Sequence, residues 1–207
     1  MPDRPQILVI ACGALAREYL DLIERNGWDN VTLECLPAKL HNTPKLITDA
    51  VRERLDRAEG SFDSILVGYA DCGTGGHLDA LLDERRIKRL PGAHCYEFFA
   101  TSAVFADLHD AEPGTLYLTD YLAKHFDRLI WETLGLDRWP ELRDQYFGNY
   151  TRLIYLSQVE DPEIYATAQA AADRLGLDFA HLPTGYGEMA EATVDFMDRH
   201  ASVRPAV

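Results

Sequence analysis

Three of the four cysteines in this 207-residue chain stand where sites form. Cys12 closes the apolar run Gln6 to Cys12, Cys72 follows the run Ser64 to Ala70, and Cys95 follows a shorter run, Arg86 to Leu90. If these runs are strands of a parallel sheet, all three thiols lie just beyond strand carboxyl ends, where open α/β sheets bind their ligands. Thiolates take borderline and soft cations, and thiolates with imidazole suit zinc, iron or an Fe–S centre. Cys12, Cys72 and Cys95 with His94 make a Cys3His set, and His77 is the other imidazole within reach. No two of these thiols have zinc-finger spacing, so only the fold could bring them together. Two other readings of the same residues stay open. The thiols could form a reactive pair or nucleophile, or they could be ordinary buried fillers. Cys35 sits inside a further strand pattern, Val31 to Leu36, and reads as filler.

The segments around these cysteines carry the other chemistry. Asp71, Gly73, Thr74, Gly75, Gly76 and His77 form a glycine-rich passage from strand to helix. Backbone N–H groups in such a loop cradle a phosphate or carboxylate, which makes the loop a candidate substrate site. It lacks the Gly-Lys-Ser/Thr ending of a Walker loop and the dinucleotide fingerprint. His41 follows the second strand and is a candidate general base or substrate contact. Glu97 follows Cys95 and is a candidate acid–base or supporting carboxylate. Pro183 to Glu188 could add a wall or an N–H donor. His109, His125 and His200 fall among charges on helical stretches and read as surface residues. Serine-centred nucleophile motifs and His-Glu-x-x-His are absent.

Short apolar runs alternating with amphipathic stretches must position these groups. Helical spacing covers Ala14 to Asn26, with Asn26-Gly27 as its stop. Thr43-Pro44 offers an N-cap and a first-turn proline for a helix to Ala58. His77 to Asp83 reads as a short helix, Tyr96 to Leu108 as one helix, and Asp120 to Leu134 as another. Leu116 to Leu118 is a small strand or a helix lead-in. A short helix opens at Trp139-Pro140. Then come a strand at Arg152 to Leu156, a helix at Pro162 to Leu175, a strand at Phe179 to Leu182 and a closing helix at Glu188 to His200. The tail from Ala201 to Val207 is expected to fray. The pattern predicts an α/β fold, a three-layer parallel-sheet βαβ architecture, with a helical middle insertion at about 96–149 and a C-terminal α/β segment. It is read as one domain, with two lobes at about 1–95 and 150–200 as a further possibility.

Composition narrows the partners. Acids outnumber bases 34 to 20, giving a formal charge of −14. Such a surface repels phosphate backbones and anionic headgroups, so neither nucleic acid nor membrane is expected as a partner. No stretch approaches the roughly 18 apolar residues of a bilayer span. Val9-Ile10-Ala11-Cys12 loosely matches a lipoprotein cleavage site, but the apolar segment before it is too short for a signal. A cytoplasmic protein with reduced thiols is the expectation.

Several segments together resemble a bacterial and archaeal family catalogued as domain of unknown function 1638. They are Ala11 to Leu15, Leu36 to Pro44, Tyr69 to Gly76, Pro91 to Cys95 and Pro113 to Thr119. The resemblance runs over roughly residues 6 to 190. Where the family pattern often has His-Asp-Cys, this chain has His94-Cys95. The resemblance implies a setting near corrinoid-dependent methyltransferases and one-carbon enzymes. It therefore implies a small-molecule substrate, or a methyltransferase or corrinoid-protein partner. The corrinoid-binding Asp-x-His-x-x-Gly motif is missing. An enzyme with an open zinc or iron site, a non-catalytic metal- or cofactor-delivery protein, and a thiol-redox protein are the functions these readings allow.

Overall fold

The computed structural model of the protein describes residues 4–201, so the tail expected to fray lies outside it from residue 202 onward. The chain divides into two compact units. The first takes residues up to 98 and, after a long excursion, residues from 188 onward; the second takes 99–187. Each is built on its own parallel sheet.

In unit 1 the sheet order is β2-β1-β3-β4. Its strands are β1 (Ile7–Cys12), β2 (Val31–Leu36), β3 (Ser64–Gly68) and a two-residue β4 (Lys88–Arg89). Strand β1 is central and has no polar alternation because both of its faces are covered. Residues Ile7 to Ala11 are at most 1% exposed. Its register places Cys12 opposite Leu36 on β2 and Ala11 opposite Gly68 on β3. Helix α1 (Ala16–Asn26) follows a 3-10 turn at Gly13–Leu15 and ends at Gly27, whose φ of 62° suits a residue without Cβ. Helix α2 (Ile47–Ala58) begins later than the Thr43-Pro44 signal predicts. A 3-10 turn, Pro44–Leu46, takes the proline, and Thr43 makes no side-chain cap bond. Its φ of −142° and ψ of 67° show that the chain is still turning there.

One face of this sheet, with Leu8, Ile10, Val67 and Tyr69, packs against Val51 and Leu55 of α2 and Leu78, Leu81 and Leu82 of α3 (His77–Arg85). Cys12 and Cys72 pack at the edge of the same cluster. On β3, Gly68 takes the ring of Tyr19 from α1. A Cβ there would stand 2.7 to 2.9 Å from the ring and its hydroxyl. The helix expected over Tyr96 to Leu108 is two helices, α4 (Cys95–Ala100) and α5 (Ser102–Ala111), broken at Thr101, where φ is +71°. Cys95 is thus the first residue of α4 rather than part of a loop.

Unit 2 has the sheet order β5-β6-β7, from β5 (Thr115–Thr119), β6 (Arg152–Ser157) and β7 (Asp178–Pro183). The middle of the chain therefore carries a strand of its own, since Thr115–Thr119 pairs in full with Arg152–Leu156. The long helix expected from Asp120 is a short α6 (Asp120–Lys124) followed by a π turn at Asp127–Trp131. Helix α7 spans Leu142–Phe147. Helix α8 (Pro162–Leu175) has the predicted bounds and is capped by Asp161, whose carboxylate accepts the N–H groups of Glu163 and Ile164. Helix α9 (Gly187–Ala201) leads back into unit 1. No helix among the described residues is long and apolar enough to cross a membrane.

Candidate functional site

Strand order alone marks one place in unit 1. The chain passes from β1 outward to β2, then returns to the other side of β1 for β3. The order reverses between β1 and β3, and their carboxyl ends open the crevice where doubly wound sheets bind ligands. Cys12 is the last residue of β1. Cys72 comes four residues after β3 ends, and Cys95 opens the helix that follows β4.

Cys12, Cys72 and Cys95 thus stand on three segments that leave the carboxyl ends of the sheet. Burial pushes Cys72 up to about 12, with Cys12 the next cause. Cys95 is held well above the ordinary thiol value by burial first, then by Cys72 and by Cys12. Cys12 is raised by burial, which the Ala14 backbone and nearby Tyr69 only partly offset. Tyr69, 2% exposed and just beyond β3, is itself pushed up by burial and by the Cys12 thiol beside its hydroxyl. Low-dielectric surroundings and like charge both favour the neutral thiols, so none is an activated nucleophile as it stands. Cys35 is exposed on β2, contrary to its reading as filler. Its side chain follows the pleat of a strand that has only β1 beside it.

The loops that carry the thiols are tied to one another. The Cys72 N–H donates to Ala93 O at 2.7 Å, and the Asp71 N–H to Gly92 O at 3.2 Å. Arg89 pairs with Asp79 at 2.5 Å and also donates to the carbonyls of Leu90 and Gly92. Cys72 holds φ at +51° and Gly73 at +80°, a left-handed pair that aims the chain across the crevice. Non-glycine residues adopt this conformation only under constraint.

The other site candidates take up definite positions. Asp71 accepts the Thr74 hydroxyl at 2.6 Å and the N–H groups of Gly75 and Gly76 at 3.2 and 3.0 Å. Partial burial raises Asp71, but these bonds and nearby Arg89 outweigh it and hold the carboxyl below its ordinary value. The N–H groups expected to cradle an external anion are thus bonded to the chain's own carboxylate. Gly73 and His77 line a separate recess with Lys45, Asp49, Arg52 and Glu84. Glu97 accepts the Ala93 N–H at 2.7 Å and so buttresses the 92–93 turn. Desolvation first, then the charge of His94, holds His41 below the usual imidazole value. Partly buried His94 also packs against Tyr96 at 5.4 Å between ring centroids. Among the described residues, no group of three or more His, Cys, Asp and Glu side chains already stands in metal-ligand geometry.

Sequence reasoning missed Tyr69 and Arg89. The signal for Tyr69 was a lone polar-tipped aromatic ending an apolar strand directly before Asp71-Cys72. Arg89 gave none, because its bonds run to loop carbonyls that only the fold brings near.

The molecule is therefore a parallel α/β protein of two units, with Cys12, Cys72 and Cys95 on segments that leave the carboxyl ends of the first sheet. The chain belongs to the family described as Protein of unknown function (DUF1638), whose family model matches residues 35–193. That span includes Cys72, His94 and Cys95 but not Cys12. Neither a curated protein nor a solved structure matches the chain.

Proposed function

We propose that unit 1 binds a thiophilic transition metal, zinc first and iron second, through Cys12, Cys72 and Cys95, with His94 as a fourth ligand. The observation that carries the reading is that three segments leaving the carboxyl ends of the first sheet each bring a cysteine. Thiol chemistry suits such an ion, which replaces the thiol protons as it binds. Among the described residues these side chains are not in ligand geometry, so holding a metal would require them to rearrange. When bound, the metal supplies Lewis acidity at the crevice.

The chain's own groups do the positioning. Tyr69, buried just beyond β3, keeps its hydroxyl in the neighbourhood of Cys12. Asp71 fixes the loop that holds Cys72, and Glu97 fixes the turn before His94. His41, exposed in the 3-10 turn that follows β2, is the group proposed to take a proton from a small substrate. The family resemblance favours methyl-group or one-carbon chemistry, with a methyltransferase or corrinoid protein as partner. Delivery of the metal to that partner is the alternative to catalysis.

Elemental analysis of protein purified without a histidine tag or added metal tests the site, with free thiols counted in parallel. About one equivalent of zinc or iron is expected, with three thiols protected until a chelator is added. In Cys72→Ser the metal is lost while the far-ultraviolet circular dichroism is kept. Full metal occupancy in that variant, or four thiols that titrate freely in the parent, defeats the assignment. Three protein ligands plus water favour catalysis, whereas a closed four-ligand site favours carriage.

A further inference from the structure

We propose that unit 2 holds a second, independent ligand site, and that it takes a small amine with an apolar body. The site is a pocket of about 500 Å³ at the carboxyl ends of β6 and β7. That volume lies within the usual range for small-molecule sites. Tyr155, Ser157, Glu160, Asp161, Tyr165 and His181 are among its lining residues, and all belong to unit 2.

The walls are aromatic and fixed. Tyr155 turns its hydroxyl away to donate to Asp120 at 2.7 Å, which leaves the ring as wall. His181 lies opposite Tyr155 in the β6–β7 register and stacks on it, with centroids 5.2 Å apart and planes 17° apart. Tyr165 of α8 meets the His181 ring nearly edge-on at 5.1 Å and is braced by Phe179 at 5.4 Å. The Ser157 hydroxyl and His181 Nε2 are hydrogen-bonded at 2.9 Å and place a polar pair on the same wall.

Two observations decide the ligand's charge. The charged side chains lining the pocket are Glu160 and Asp161, both carboxylates, with neither lysine nor arginine among its lining residues. The N-terminus of α8, the natural seat for a phosphate in an α/β unit, is already capped by Asp161 Oδ1. An anion would have to displace that cap and face Glu160. A cation gains from both carboxylates, from the Asp161 oxygen that the cap does not use, and from the partly exposed Tyr165 ring.

A serine nucleophile is the other use of a Ser–His pair, and the backbone argues against it. The N–H groups of Gln158 and Val159, which follow the serine, donate to Asp120 at 3.0 and 3.1 Å. They are not free to stabilise an oxyanion.

The test is a charge series on one body. The full chain at neutral pH is titrated with benzylamine, benzyl alcohol and phenylacetate, followed by amide NMR shifts of residues 157–165. Benzylamine should bind about tenfold more tightly than benzyl alcohol, and phenylacetate more weakly still. The variant Glu160→Gln with Asp161→Asn keeps an oxygen for the helix cap. It should bring benzylamine to the affinity of benzyl alcohol. Tyr165→Ala should weaken both by about tenfold or more. Equal affinity for all three probes, preference for phenylacetate, or no shifts at millimolar concentration would each overturn the proposal. So would unchanged discrimination in the carboxylate variant, with an undisturbed amide spectrum elsewhere. The metal content of unit 1 has no part in these readouts.

Discussion

At Cys72 two requirements meet on one residue. The loop needs a left-handed backbone there, and the crevice needs a thiol. A glycine would satisfy the first without strain; a non-glycine residue gives up about 1 kcal/mol to hold it. On the proposed metal reading, cysteine is kept at this glycine-like position for its sulfur. Two substitutions separate the terms. Cys72→Ala loses the thiol but keeps the strained backbone, whereas Cys72→Gly loses both. The glycine variant should be the more stable by about 1 kcal/mol, read from urea unfolding midpoints at constant m. An alanine variant equal to or above it would mean that the positive φ carries no strain. In the sequence the three candidate thiols stand out as a set, because Cys12 closes one apolar run and Cys72 and Cys95 follow others. Their supports do not. Nothing in the sequence says that the glycine-loop N–H groups would turn to Asp71, since an anion and an aspartate satisfy the same donors.

Among elements, the best-read are those whose signals are local. The bounds of β2 and α8 are those expected, because one is a short β-rich run and the other lies between Asp161-Pro162 and Gly176. The sequence leaves Leu116 to Leu118 between a small strand and a helix lead-in, because β5 is five residues long and its pairing with β6 is distant in sequence. Ser157 and His181 were passed over for the same reason. A histidine in Asp178–Pro183 shows no partner until register sets it opposite Tyr155. The close approach of α1 to β3 is likewise a tertiary fact. Gly68 has no turn to make, yet a Cβ would stand under 3 Å from the Tyr19 ring, which is fully buried and has nowhere to move. Gly68→Ala should therefore destabilise unit 1 by about 1–3 kcal/mol through overpacking, the reverse of the small gain that alanine gives in an open strand. Thermal unfolding followed at the Tyr19 ring by NMR checks this. An unchanged melting temperature would show that α1 slides to make room.

For the whole molecule, the order of the chain matters more than the number of sheets. Unit 2 is one continuous segment, 99–187, whereas unit 1 is closed only when the chain returns at residue 188. The returning α9 is not a decoration. Met189, Thr193, Phe196 and Met197 form one helical face and are all buried, and Thr193 lies beside the Tyr19 hydroxyl in unit 1. Three large apolar side chains at about 1.5–3 kcal/mol each are worth as much as the entire net stability of many domains. A chain ended after residue 187 should therefore lose protection of the β1 amides against hydrogen exchange, although every strand of the first sheet is still present. The thiol cluster should go with it, since Cys12 is positioned by β1. Hydrogen exchange on Ile7 to Ala11 in the shortened chain reads this directly. Native-like protection there would mean that the four-strand sheet, α1, α2 and α3 suffice, and that the return of the chain serves some purpose other than completing the first core.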